Sequence, residues 1–259
     1  MSTRDSAWAS GTPCWVDVQV DDTTAARNFY STLFGWEIQD AGPDSGGYLM
    51  ATLNGRAVAG IGPKQSASAP SAWVTYISAD DVDAVAGQIA AAGGSVPMAP
   101  MDVGEAGRMA IAADPGGAIF GLWQAGKSIG VEIVNVDGAL TWNDLHTTEY
   151  KAAQDFYKKI YDYTYTEVGD GKEVVYSIFG IPQAPKERVG GVAQAPKLDT
   201  PPYWLAWFQV GDVDATIKTA TELGAKVVLP AKTSPTGRAG VLRAPQGEVF
   251  SVVDRATTS

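Results

Sequence analysis

With 259 residues, 45% of them hydrophobic and 19% charged, the chain has the makeup of a globular protein long enough for two ordinary domains. Its formal net charge of −10 would repel nucleic acid and anionic membrane surfaces, and says nothing about which small molecule it takes. A single cysteine, Cys14, excludes an internal disulfide and a thiolate metal cluster. With a polar start over Met1–Thr12 and no apolar run near the roughly 18–20 residues that cross a bilayer, a soluble cytoplasmic protein is expected.

The first expected element is a strand, Trp15–Val20, alternating valines with Trp15, Asp17 and Gln19. A helix capped by Asp22 or Thr23 follows, with an apolar stripe through Ala26, Phe29, Tyr30 and Leu33, and stops at Gly35. Gly46-Gly47 reads as a turn. A second helix opens at Asp81, carries Val82, Val85, Ile89 and Ala92, and stops at Gly93-Gly94; neither glycine pair matches a phosphate-binding loop. A late hairpin, Asp114-Pro115-Gly116-Gly117-Ala118-Ile119-Phe120, closes this stretch. Lys127–Asp137 is a short connector, with extended structure expected at Val131–Val134.

The series then begins again. Trp142, Asp144 and His146 stand where Trp15, Asp17 and Gln19 stood, and helices are expected over Thr148–Ile160 and Asp212–Leu223. Phe156 lies 127 residues after Phe29, Asp212 lies 131 after Asp81, and Gly237 lies 130 after Gly107. A near-constant shift implies a duplicated domain, 12–126 and 138–254 joined by 127–137. Each copy is long enough to bury its own core. In each, strand, helix and several strands occur twice.

Strand alternation assigns the chemistry to one face. Val16, Val18 and Val20 suit packing on a helix, while Trp15, Asp17 and Gln19 point to the opposite side, as do Trp142, Asp144 and His146. These polar residues suggest a polar cavity on the concave side of a sheet; an exposed sheet face is the alternative.

A strand–helix–strands module used twice per copy, the Ala-x-x-Phe-Tyr helix and the Asp-Pro-Gly-Gly-Ala-x-x-Phe hairpin together resemble the vicinal oxygen chelate superfamily of glyoxalases, bleomycin-resistance proteins and extradiol dioxygenases. Trp15-Val16-Asp17 and Phe34-Gly35-Trp36 look most like its tandem bacterial members often labelled hydroxylases, although the second copy has Tyr161-Asp162-Tyr163 in place of Phe-Gly-Trp. The resemblance covers nearly the whole chain. It implies an α+β fold of tandem glyoxalase-like domains, each a curved, partly open sheet of two βαβββ modules around a cavity.

The resemblance also implies where metal ligands would stand: Trp15, Val74 and Gly121 in the first copy, Trp142, Leu205 and Ser251 in the second. None of these six is a metal ligand of that family, and the chain has one histidine, His146. No metal or other cofactor is therefore expected, and neither a metal-dependent glyoxalase I nor an extradiol dioxygenase. A displaced site built from Asp144, His146 and Glu149 is the exception to examine.

Asp144 and His146, two apart on one strand, could share a proton and act as general acid and base, or form a cavity hydrogen-bond pair. Arg108 and Arg238 each follow a glycine just before a strand. They could clamp a ligand carboxylate or phenolate, or pair with the inward aspartates. Trp73, Trp204 and Trp207 read as core for the most part. At Trp15 and Trp142 an aromatic wall replaces a metal ligand, which suits stacking on a flat apolar ligand. The leading expectation is metal-independent binding of an aromatic or polycyclic natural product, for self-resistance or biosynthetic service, through Trp15, Asp17, Gln19, Arg108, Trp142, Asp144, His146, Trp207 and Arg238. The alternative is a metal-free tailoring enzyme, an isomerase, cyclase or hydroxylase-like protein, using Asp144 and His146. The expected partner is a small molecule, with no nucleic acid or membrane, and the chain is expected as a monomer or homodimer.

Overall fold

The computed structural model describes residues 2–43, 45–168, 175–185, 190–195, 200–234 and 237–254. Its elements fall into four groups. The first is β1 (Pro13–Val20), α1 (Thr23–Phe34), β2 (Glu37–Asp40), β3 (Leu49–Leu53) and β4 (Arg56–Pro63). The second is β5 (Ala72–Ser78), α2 (Val82–Ala91), β6 (Ser95–Val103), β7 (Gly107–Ala113) and β8 (Ile119–Ala125). The third is β9 (Leu140–Thr147), α3 (Tyr150–Tyr161), β10 (Thr164–Glu167), β11 (Tyr176–Gly180) and β12 (Gly190–Gln194). The fourth is β13 (Tyr203–Gln209), α4 (Val213–Glu222), β14 (Lys226–Ser234), β15 (Gly237–Arg243) and β16 (Val249–Asp254).

The helices begin and end for local reasons. The Asp22 carboxylate accepts from the amides of Thr24 and Ala25, and Asp81 and Asp212 cap α2 and α4 the same way. Gly35, at φ 70°, closes α1 in the left-handed region, and Asp162, at φ 56°, does the same for α3 in spite of its side chain. Helix α3 starts later than expected. Its preceding residue, Glu149, makes no side-chain cap, and Thr147 Oγ1 instead accepts from the Glu149 amide. The expected extended segment at Val131–Val134 forms no strand; Ile133 makes one isolated bridge to Thr3.

Within each group the first strand pairs parallel with the last: β1 with β4, β5 with β8, β9 with β12 and β13 with β16. Antiparallel pairs β1–β5 and β9–β13 then join the groups two by two. The result is two eight-stranded arrays, β2-β3-β4-β1-β5-β8-β7-β6 and β10-β11-β12-β9-β13-β16-β15-β14, joined into one 16-stranded sheet by the single parallel strand pair Tyr203–Ile119. The pairing pattern of the first half thus recurs in the second.

The cores are not divided as expected. Each half does not bury a core of its own; two clusters form, and both draw on both halves. One gathers Val16, Val18, Phe29, Tyr30 and Phe34 with Phe208, Leu242, Phe250 and Val252. The other gathers Ile77, Val82, Ile89, Phe120 and Leu122 with Leu145, Phe156, Tyr157, Phe179 and Trp204. The reason is that the helix-bearing faces pack on each other, so α1 meets α4 and α2 meets α3. Apolar stripes that would face water in an isolated half are covered, at roughly 1.5–3 kcal/mol for each large side chain buried.

Two hydrogen-bond relays cross this interface. The Trp73 indole N–H donates to the Tyr30 hydroxyl at 3.1 Å, which donates to Glu248 Oε1 at 2.9 Å. The Trp204 indole N–H donates to the Tyr157 hydroxyl at 3.1 Å, which donates to Asp114 Oδ2 at 3.3 Å. The carboxylate stands at the start of one hairpin and the end of the other, with Ala244 and Ala118 at the complementary positions. Burial pushes both carboxyls above their ordinary range.

Because Glu248 is buried, Tyr30→Phe leaves its Oε1 and the Trp73 N–H without partners. That should cost about 2–3 kcal/mol, whereas Glu248→Gln, which keeps the acceptor, should cost under about 1 kcal/mol. Urea unfolding of the two variants checks this; equal losses would mean the relay contributes nothing specific.

Candidate functional site

The faces opposite the helices are concave and carry the residues singled out by strand alternation. In the first half, Asp17 is buried beneath a set of donors. Gln19 Nε2 donates to its Oδ1 at 3.0 Å, and the Tyr76 and Tyr48 hydroxyls donate to its Oδ2 at 2.9 and 3.2 Å. The Trp15 indole N–H donates to the Tyr48 hydroxyl at 3.0 Å. Two glycines make room. A Cβ at Gly60, the cross-strand neighbour of Asp17, would lie 1.7 Å from the Tyr48 hydroxyl, and one at Gly121 would lie 2.0 Å from the Tyr76 ring. Trp15, Tyr76 and Trp123 are themselves buried while Gln19 and Tyr48 are half-buried, so this site is the more closed of the two. Desolvation pushes the Asp17 carboxyl up to about 6, although its three hydrogen bonds pull the other way.

The second half repeats the frame with a different filling. Tyr176 lies over Gly191, the neighbour of Asp144, as Tyr48 lies over Gly60. The Trp142 indole N–H and the Tyr176 hydroxyl donate to Asp144 Oδ1 at 2.8 and 2.7 Å. Gln19 is replaced by His146, whose ring stacks on Tyr203 at 5.2 Å and whose Nε2 is buried without a partner. Tyr76 is replaced by Trp207. Its indole N–H faces Asp144 and helps hold the charge, yet makes no hydrogen bond of ordinary length. Burial lowers the basicity of His146, against the pull of Asp144, and raises the Asp144 carboxyl, against the pull of His146 and its donors. Trp123 and Met109, which line the first site, correspond to Val253 and Ala239. With less bulk on that side, Trp142, His146, Tyr176, Tyr203 and Trp207 are all left half-buried around a buried Asp144.

The expected residues are thus mostly together. Trp15, Asp17 and Gln19 meet in the first site; Trp142, Asp144, His146 and Trp207 meet in the second. The arginines do not meet the inward aspartates. Arg108 makes a bidentate pair with Asp83 and reaches Asp102, and Arg238 makes a bidentate pair with Asp214. Both sit one residue out of phase with the concave positions Met109 and Ala239, so they project to the helix-bearing side and fasten β7 and β15 to the first turns of α2 and α4. Trp73 and Trp204 lie in the interface between the halves. Tyr48, Tyr76, Tyr176 and Tyr203 were not singled out by sequence. A signal existed for one pair, since Tyr176 lies 128 residues after Tyr48, close to the repeat shift.

A divalent metal, which the resemblance implies, does not fit the residues present. The Asp17 carboxylate is saturated by amide and phenol donors, and Ser251 turns its hydroxyl to the Gly240 carbonyl at 2.8 Å. The displaced set Asp144, His146 and Glu149 does not assemble either: among the described residues no three His, Cys, Asp or Glu side chains form a metal-holding group.

A sequence profile of the glyoxalase/bleomycin resistance protein/dioxygenase superfamily matches residues 14–122. The chain is 41% identical to a Mycobacterium tuberculosis protein provisionally named glyoxylase CFP32, over 98% of each chain. It is 35% identical to the anthracycline biosynthesis protein DnrV of Streptomyces peucetius, covering 95% of this chain and 94% of that one. Among solved structures, the Mn(II)-bound glyoxalase of Novosphingobium aromaticivorans superposes with a TM-score of 0.64 at 17% identity, over 95% of this chain and 83% of the other. That last likeness is one of fold.

A carboxyl raised in the folded state binds its proton more tightly there than when unfolded. Asp17 therefore lowers stability as pH rises from about 4 to about 6, by on the order of 2–3 kcal/mol. Asp17→Asn removes this term. Its stability relative to the wild type should improve by that amount between pH 4 and pH 7 in denaturant titrations, and parallel pH profiles would refute the assignment.

Proposed function

The chain belongs to the glyoxalase/bleomycin resistance protein/dioxygenase superfamily, and on that premise we propose that it binds a flat aromatic or polycyclic natural product without a metal. The ligand sits on the concave face of the second half, and the role is accessory to natural-product biosynthesis. The observation that carries this reading is the half-open aromatic wall of Trp142, Tyr176, Tyr203 and Trp207 around a buried carboxylate, set against a more closed first site. Relatives named for anthracycline biosynthesis support the class of ligand, since anthracyclines are planar fused-ring systems. Residues 12–126 and 138–254 act in this reading as two copies of one domain, the first a structural partner and the second the ligand carrier. No described helix is long and apolar enough to cross a membrane. We propose a cytoplasmic location on the strength of the single cysteine, which suits a reducing compartment.

A second reading, a metal-free tailoring enzyme, draws on His146. It stands in one half only, its burial favours the neutral ring, and it is coupled electrostatically to Asp144.

Titration with 1,4-dihydroxyanthraquinone should quench tryptophan fluorescence saturably, at one ligand per chain. Trp142→Ala should weaken binding about tenfold or more. Unchanged fluorescence would overturn the binding reading, and stoichiometric metal required for binding would overturn its metal independence. Turnover of a ligand that survives both Asp144→Asn and His146→Ala would remove the enzymatic reading.

A further inference from the structure

The two concave sites differ in how completely their carboxylates are bonded. Asp17 has both oxygens occupied, by Gln19 on one and by Tyr48 and Tyr76 on the other. Asp144 accepts only on Oδ1, from Trp142 and Tyr176, and its Oδ2 takes no hydrogen bond among the described residues. The replacements that cause this are His146 for Gln19 and Trp207 for Tyr76. Each brings a polar atom of its own, His146 Nε2 and Trp207 Nε1, and each of those is buried and unpartnered. One face therefore holds a carboxylate oxygen with no hydrogen bond of ordinary length, an indole N–H that faces the same carboxylate from beyond that length, and an unpartnered imidazole nitrogen, where its counterpart carries three hydrogen bonds. Of these the two nitrogens are buried, and an unmet buried polar atom costs about 1–3 kcal/mol, so their gathering beside the carboxylate calls for a polar guest.

We infer that the second site reads a ring hydroxyl: the hydroxyl donates to Asp144 Oδ2 while its oxygen accepts from the Trp207 indole N–H, and His146 Nε2 meets a second oxygen of the same ring system. The ligand class is accordingly a phenol or hydroxyquinone rather than a bare aromatic hydrocarbon or simple quinone. A ring hydroxyl satisfies an acceptor and a donor together, as a ring carbonyl or ether cannot; either of those would leave Asp144 unmet. This inference rests on the reading that the concave face takes a flat aromatic ligand, and adds what that ligand must carry.

The test compares 2,6-dihydroxyanthraquinone, whose hydroxyls are too far from the ring carbonyls to bond to them, with unsubstituted anthraquinone, two probes with the same ring system, by fluorescence titration of the intact chain. The wild type should bind the hydroxylated probe at least about 30-fold more tightly, because the bare quinone leaves buried groups unpaired. The double variant His146→Gln/Trp207→Tyr installs around Asp144 the residues that saturate Asp17. With Ser251→Gly added, to give the new tyrosine the room that Gly121 gives Tyr76, the variant should keep its stability in urea unfolding and bring the preference below about threefold. Equal affinity of the wild type for both probes would overturn the hydroxyl readout while leaving ring binding intact. Binding of neither probe would overturn both. A preference that persists in the folded variant would also overturn the readout, since its atoms would then be elsewhere.

Discussion

Two buried tyrosine hydroxyls hold the halves of this chain in register, and the rest of the architecture follows from that contact. Tyr30 and Tyr157 each accept a hydrogen bond from an indole of their own half and donate one to a carboxylate of the other. A buried carboxylate is costly unless bonded, so the opposite half's tyrosine supports each of them: Glu248 through Tyr30, and Asp114 through Tyr157 beside the Ala118 amide of its own hairpin. The aromatic packing around them, with Phe34 on Phe208 at 4.9 Å and Trp73 on Phe208 at 5.1 Å, supplies the apolar burial. The relays add direction to it. Once the helix-bearing faces are sealed together, the opposite faces are the ones left concave.

That division was legible in the sequence at the level of single elements. The aspartates at 22, 81 and 212, the apolar stripe ending at Gly35 and the alternation in Trp15–Val20 each act locally, and local interactions leave a pattern in neighbouring residues. The repeat extended the pattern across the chain. The shared cores were not legible, because apolar positions say that a face is buried and not what buries it. The arginines failed for a related reason. Gly-Arg before a strand suggested an inward guanidinium, but a shift of one position along a strand reverses the face, and Asp83 and Asp214 stand ready on the other side. The tyrosines over Gly60 and Gly191 depend on a close approach across strands, which the glycines permit but do not announce.

The contrast between the halves shows how little separates a structural filling from a site. Backbone frame, buried aspartate, overlying tyrosine and first tryptophan are common to both. Tyr76 to Trp207, Gln19 to His146, Trp123 to Val253 and Met109 to Ala239 are the differences that matter. Two of them remove bulk from the wall, and two remove hydrogen bonds from the carboxylate. The first half is left to provide stability for the pair, with Asp17 locked between donors. The second is left with room and with unmet polarity in the same place.

This bears on whether Asp144 and His146 form a proton-transfer pair. Burial drives the carboxyl toward its protonated form and the imidazole toward its neutral form, so each opposes the ion pair that their mutual attraction favours. No hydrogen bond joins them; the imidazole lies flat on Tyr203, and the carboxylate is held from its other oxygen. General acid–base catalysis requires reach to a common proton, directly or through the reacting molecule. In this arrangement only a third group, seated between them, completes the connection. In the binding reading proposed for this site, orientation of a ligand is thus the primary task of both residues, and chemistry here would begin with a ligand whose own hydroxyl closes the circuit.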